Sequence, residues 1–331
     1  HVAIKLVVMG TQEAKIIEFM KKVTSQTDVD SFEGVVPVLD VLHYDENYLF
    51  FVTPRWTHYE PNTRYDVVDQ VLEFVHCMLK GLSFLHENNI VHKDIARHNI
   101  LMNYLAADDY PYERDYCFRE SLRFQCLIRY GIFDFNLSIK LPPFVKSSTY
   151  RLPIDYAFEG PRSEPFDCLH GELDYRPFAY DVACLGILFY EEFADIIPLA
   201  PLLAPLIDKM VTLDIDRRFT ASQALEFFLR LRSEMSEEEL KKRIPRDRPD
   251  VTAGWDEFRR WDSLPCGFIQ RWAAYREPRP SLPRRLLRAF CRHHWGWNTV
   301  HYIRLILRWV HGSVFFWRPS PSTLLLPHDA H

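Results

Sequence analysis

The stretch Ile90–Asn103, "IVHKDIARHNILMN", packs His92, Lys93, Asp94, Arg97, His98 and Asn99 into eight residues between two apolar, strand-like ends, Ile90–Val91 and Ile100–Met102. A solvated turn would account for the polarity alone. It gives no reason for an Asp and an Asn five residues apart, clamped between segments that look buried. The pattern on either side decides between a turn and a site.

Upstream, from about Asn62 to His86, Val68, Leu72, Val75, Leu79, Leu82 and Leu85 recur at helical spacing, and Asn88-Asn89 ends the helix. Near the start, "VAIKLVV" (2–8) is short and β-branched, a strand. Thr11–Val23 follows as a helix with Ile16, Ile17, Met20 and Val23 on one face. "VVPVLDVLHY" (35–44) and "NYLFFVT" (47–53) predict two strands joined by a turn at 45–47. Downstream, "CLIRYGIFDFNLSIKL" (126–141) predicts a strand pair around a turn, and 142–177 is Pro-rich and irregular. A helical pattern then runs to about Arg232, 233–285 are charged with little periodicity, and 286–317 are basic and aromatic.

At 331 residues, 47% of them hydrophobic, the chain can bury a full core. Its net charge of −5 hides an asymmetry: between Arg271 and Arg318 ten Arg face one acid, Glu277, leaving about −14 for the rest. Seven cysteines form no C-x-x-C pair, which fits reduced thiols in an intracellular, cytoplasmic protein. No secretory signal is visible, and the apolar runs 182–190 and 196–207 are shorter than the ~20 residues of a membrane span.

Phosphoryl transfer needs a cation on the nucleotide phosphates, carboxylate and amide oxygens for Mg²⁺, and a base aimed at the acceptor hydroxyl. The chain resembles the eukaryotic protein kinase family in several separate motifs that follow the family's order. "VAIK" ends at Lys5; "HKDIARHN" resembles H-R-D-x-x-x-x-N; and "DFN" (134–136) stands where D-F-G is expected. "YDVACLGILFYEEF" resembles the buried helix of the large lobe, and "DIDRRFTASQALEFF" its closing helices. The resemblance implies an α+β, two-lobed protein-kinase-like fold: a small antiparallel β lobe (1–56), cut short in this sequence, a mainly helical large lobe (57–232), and a carboxy-terminal extension (233–331). It implies ATP and Mg²⁺ as cofactors and a protein hydroxyl as acceptor, Ser/Thr ahead of Tyr. A pseudokinase that holds nucleotide or serves as a scaffold is the alternative.

By the same resemblance Lys5 holds phosphates, Asp94 is the base, and Asn99 and Asp134 are metal ligands. Ala3 and Leu101 sandwich the adenine, and the backbone near Thr53 to Arg55 forms the hinge, where Pro54 has no N–H to give. Asp181 holds the catalytic loop, and Arg218 pairs with an acid at the end of the activation segment, for which Glu159 is the choice. Glu13 and Glu18 compete to pair with Lys5. Glu13, three and four residues before Ile16 and Ile17, lies on the inward face, about 140° from Glu18.

The departures are specific. No glycine-rich loop precedes Lys5, Asn136 replaces a glycine, Ala96 stands where Ser/Thr kinases carry Lys, and Lys93 replaces Arg. Asn99 and Asp134 are 35 residues apart, which implies an insertion at about 104–126. With "FDFNLS" it resembles divergent kinase-like proteins of basidiomycete fungi. "KSSTYR" (146–151) lies where the family carries activating phosphosites, with Lys93 as the cation to meet a phosphate.

In the tail, Cys291, His293 and His294 lack a partner pair at zinc-finger spacing. His301, Arg304, Arg308 and His311 fall on one helical stripe. Such a helix suits either an anionic membrane surface or packing on the acidic body, with nucleic acid the weaker fit.

Overall fold

The structure is a computed structural model and describes residues 1–24, 32–59, 65–104, 121–125, 127–160, 165–245 and 254–314, the last four as backbone only. The small lobe runs β1 (Val2–Val8), α1 (Gln12–Thr24), β2 (Asp40–His43) and β3 (Tyr48–Pro54), in an antiparallel sheet of order β1-β3-β2. Asp45 closes the β2–β3 turn by accepting the N–H groups of Asn47 and Tyr48 at 2.7 and 2.8 Å. The strand expected from Val35 begins only at Asp40, because Pro37 cannot donate to a ladder; Val35 bridges Ile132 instead. Buried Ala14, Ile16, Ile17 and Met20 form the inner face of α1, whereas Val23 in its last turn is exposed.

The large lobe opens with β4 (Thr57–His58) and α2 (Val68–Glu87), whose six predicted inward positions are all fully buried. This helix starts six residues later than the periodicity suggests. Non-local pairing claims the segment before it: Val68 N–H donates to Lys242 O and Ile244 N–H to Asp66 O.

The expected hairpin over 126–141 does not form. β5 (Ile90–Val91) pairs with β8 (Ile139–Lys140), and β6 (Ile100–Met102) pairs with β7 (Tyr130–Ile132) and β4. Alternation fixes which face of a strand is buried but does not name its partner. The strands flanking the polar island have taken up the strands flanking 133–138, which brings the two loops together.

Beyond the short pair β9 (Leu152–Pro153) and β10 (Asp174–Tyr175) come α3 (Pro177–Phe193), α4 (Leu203–Val211) and α5 (Ala221–Ser233). α3 opens on a proline, favoured in a first helical turn. A Cβ on Gly186 would stand 2.8 Å from Met210, so the missing side chain permits the close α3–α4 approach. Thr220 and Gln223 cap α5 reciprocally.

The insertion expected at 104–126 lies outside the described residues except for 104 and 121–125. Residues 233–285, with little periodicity in the sequence, carry α6 (Glu237–Leu240) and α7 (Cys266–Trp272) and dock through buried Trp261, Leu264 and Trp272 and through polar contacts. Buried Asp208 on α4 accepts from Arg260 Nε (2.6 Å), Trp261 Nε1 (2.8 Å) and the Glu277 N–H (2.7 Å).

The tail forms α8 (Leu282–Cys291) and α9 (His294–Val314). Trp297 Nε1 donates to Cys168 O at 2.8 Å, His301 Nδ1 meets Glu172 O at 3.0 Å, and Arg304 lies 3.8 Å from the Glu172 carboxylate. Burial pushes Glu172 up to about 7, and burial with Arg304, Arg288 and Arg284 nearby brings His170 down to about 4. Their 3.7 Å contact is therefore between neutral groups at mildly acid pH.

Between pH 4.5 and 6.5 the two oppose each other. Folded Glu172 keeps a proton that the unfolded chain loses above 4.5, so its contribution to stability falls as pH rises to about 7. Folded His170 refuses a proton that the unfolded chain binds below 6.5, so its contribution rises with pH. Glu172→Gln leaves only the second effect. Urea midpoints at each end of that window should show stability rising more steeply with pH in the variant than in wild type.

Candidate active site

Three distant segments converge on one ammonium. Lys5 Nζ donates to Glu13 Oε1 at 2.6 Å and to Asp134 Oδ1 at 2.8 Å. The strand period turns Lys5 and Val7 inward while Ile4, Leu6 and Val8 face out. Thr11 Oγ1 accepts from Ala14 N–H and opens α1, placing Glu13 in its first turn. Gln12 Oε1 accepts from Lys140 N–H, and Lys140 Nζ sits 3.4 Å over the Phe19 ring, so α1 is tied to β8 just beyond Asp134. Glu13 rather than Glu18 meets the lysine. Burial opposes the Lys5 charge, but the bonds to Asp134 and Glu13 outweigh it and hold its pKa above the ordinary value.

The polar island is pinned from behind. Fully buried Asp181 on α3 accepts from the N–H groups of His92 (2.7 Å) and Lys93 (2.8 Å), and His86 Nε2 lies 3.1 Å from its carboxylate. Burial lowers the His92 pKa, and the neutral ring bridges the two loops: Nε2 meets Phe133 O at 3.1 Å, and Nδ1 accepts from Asp94 N–H at 3.2 Å. Lys93 (φ 67°) and Asp134 (φ 63°) both adopt the left-handed region, unfavourable for non-glycine residues and held here by these contacts. Asn136 has no positive φ, so this conformation needs no glycine there.

Asn99 Nδ2 donates to Asp94 O (2.9 Å) and to Asp94 Oδ2 (2.7 Å), which leaves its Oδ1 as an acceptor. Phe133 N–H donates to Asn99 O at 2.9 Å, so the residue before Asp134 is fastened to the one that steadies Asp94. Among the described residues no cluster of three or more His, Cys, Asp or Glu forms a metal cage. An Asn and an Asp suit Mg²⁺, which takes few protein ligands and fills its shell with phosphate oxygens and water.

At the expected hinge, Ala3 pairs with buried Thr53 across the β1–β3 ladder, and Leu101 is buried on β6. Arg55 N–H is taken by His1 O at 3.2 Å, so the residue expected to serve the hinge is engaged. Trp56, which the sequence did not single out, has an N–H without a hydrogen-bond partner among the described residues.

The other basic side chains sort themselves. Arg97 turns to Glu192, whereas His98 Nε2 lies 3.6 Å from Asp94 Oδ2. Lys93, expected to await a phosphate, is buried and bonded to Glu159 Oε2 at 2.8 Å, 5.0 Å over the Tyr156 ring. An acid already stands where a phosphate was expected to dock.

Arg218 therefore does not pair with Glu159. Its guanidinium grips Asp167 in a buried two-point bond, Nη1–Oδ2 and Nη2–Oδ1 both 2.7 Å, and donates to Ala179 O and Thr212 O. The signal for Asp167 was Pro165 two residues before it, a Pro-x-acid variation on the A-P-E that ends the segment. Glu159, followed by Gly160 and Pro161, resembles that motif less.

No curated protein matches the chain. A family model does: protein tyrosine and serine/threonine kinase, over residues 1–107, the span from Lys5 through Asp94 and Asn99. With that match, the two lobes and the convergence of Lys5, Glu13 and Asp134, the chain carries a protein-kinase-like domain.

Proposed function

We propose that the protein is an ATP-dependent protein kinase that transfers the γ-phosphoryl group to a protein hydroxyl. The observation that carries this is Lys5 Nζ bonded at once to Glu13 and to Asp134, a residue 129 positions away. A surface strand lysine has no reason to collect both.

In this reading Glu13 orients Lys5, and Lys5 sets its ammonium against phosphate oxygens. Ala3 and Leu101 bound the adenine, with buried Thr53 at the back of the pocket and Trp56 N–H as the open hinge donor. Asn99 and Asp134 would hold Mg²⁺, whose charge offsets that of the phosphates when bound. Asp94 accepts the proton of the acceptor hydroxyl, and Asn99 Nδ2 fixes the carboxylate's direction. With Ala96 unable to donate, the His98 imidazole is the side chain set 3.6 Å from the Asp94 carboxylate.

A groove of about 460 Å³ opens beside Asp94, lined by Ile95, His98, Glu159 and Leu188 among others, and in this reading takes the acceptor. The five described cysteines are free thiols, which supports an intracellular, cytoplasmic setting.

A thermal shift with ATP tests the nucleotide site. In wild type the shift should require Mg²⁺, with about 2.7 kcal/mol of stabilisation at a hundredfold excess over Kd. Asp134→Asn should lose most of it. An equal metal-dependent shift in both proteins would remove Asp134 from the site.

A further inference from the structure

The tail helices face the wrong way for a helix that merely covers a core. The basic stripe of α9 lies on the side towards the body, half open to solvent: Arg304 lies 3.8 Å from Glu172 and the exposed Arg308 3.6 Å from Asp174. Its apolar side points out, with Trp309 73% and Tyr302 61% exposed and Ile303, Ile306 and Val310 open beside them. On α8 the exposed Leu282, Leu286 and Phe290 fall within about 80° of one another at 100° per residue. Arg285 and Arg292 stand on the flank of that arc, exposed and in no ion pair among the described residues.

Two occupants could cover such a face, a second copy or a lipid surface. Charge separates them. From 278 to 328 the sequence has no Asp or Glu, so a two-fold interface between copies would set arginine clusters together without an acid. An anionic bilayer supplies the missing counter-charge and takes the exposed Trp and Tyr at headgroup level. Among the described residues no helix is long and apolar enough to cross a membrane, so the helices would lie in the plane of the interface.

We propose that α8 and α9 dock the protein on an anionic membrane surface, with the outward apolar face in the interface and Arg285 and Arg292 on lipid headgroups. The inner side of α9 stays bolted to Cys168 and Glu172, so docking leaves the body of the protein as it is.

Flotation of the full chain with vesicles tests this. It should rise with phosphatidylcholine vesicles that contain phosphatidylserine and bind far less to phosphatidylcholine alone. At about fivefold per charge, Arg285→Gln with Arg292→Gln should weaken binding about 25-fold. Ile306→Glu with Trp309→Glu should abolish it, with the thermal midpoint as the check that the chain stays folded. Absence of binding to the anionic vesicles would overturn the proposal. So would equal binding to both vesicle types that ignores the Arg changes. A lipid-free dimer dispersed by Trp309→Glu, with no vesicle binding, would assign the face to a second copy.

Discussion

Asp94→Asn is expected to lower phosphate transfer by about 10²–10⁴-fold while ATP affinity stays within about twofold. The asparagine keeps the side chain's shape and one oxygen for the bond from Asn99 Nδ2, so the loop should not move. What it loses is the basic carboxylate facing the groove. Its effect should fall on kcat, with the ATP Kd as the control. Transfer at the wild-type rate in this variant would place the base elsewhere.

Asp167→Ala should destabilise the protein by about 3–5 kcal/mol, because it strands a guanidinium only 1% exposed. Backbone oxygens of Ala179 and Thr212 remain but cannot neutralise the charge. Removing both partners, Asp167→Leu with Arg218→Met, should cost less than the single change, since an apolar pair carries no uncompensated charge. Urea denaturation of the three proteins gives the order. A loss below about 1 kcal/mol in Asp167→Ala would mean that the pair does not hold this part of the fold together.

The parts of this molecule that were legible in the sequence are those fixed by local periodicity or by a short motif. The buried stripe of α2 and the inward Glu13 could be seen from helical spacing, and the polar island from its motif. The rest depended on partners far along the chain. Strands 130–132 and 139–140 could be found, yet not that each would desert the other for β6 and β5. Glu159 and Asp167 both lie between Asp134 and Arg218; Pro165 marked the second, but that Lys93 holds the first shows only in the packing. The Trp56 N–H was invisible because only the structure shows that the Arg55 and Thr57 N–H groups go to His1 O and Tyr104 O. The docked segment 254–277 carried no period, since it is held at scattered points, by hydrogen bonds to Asp208 and by the buried Trp261, Leu264 and Trp272, with no regular apolar stripe.

The most direct test of the central claim is transfer of label from γ-labelled ATP by the purified chain, with Mg²⁺ and with chelator, in the presence of a mixture of protein substrates. Mg²⁺-dependent incorporation into protein hydroxyls is expected, and Lys5→Met and Asp94→Asn should both remove it. Mg²⁺-dependent ATP binding without incorporation into any protein would contradict it, and would make the domain a nucleotide-binding module.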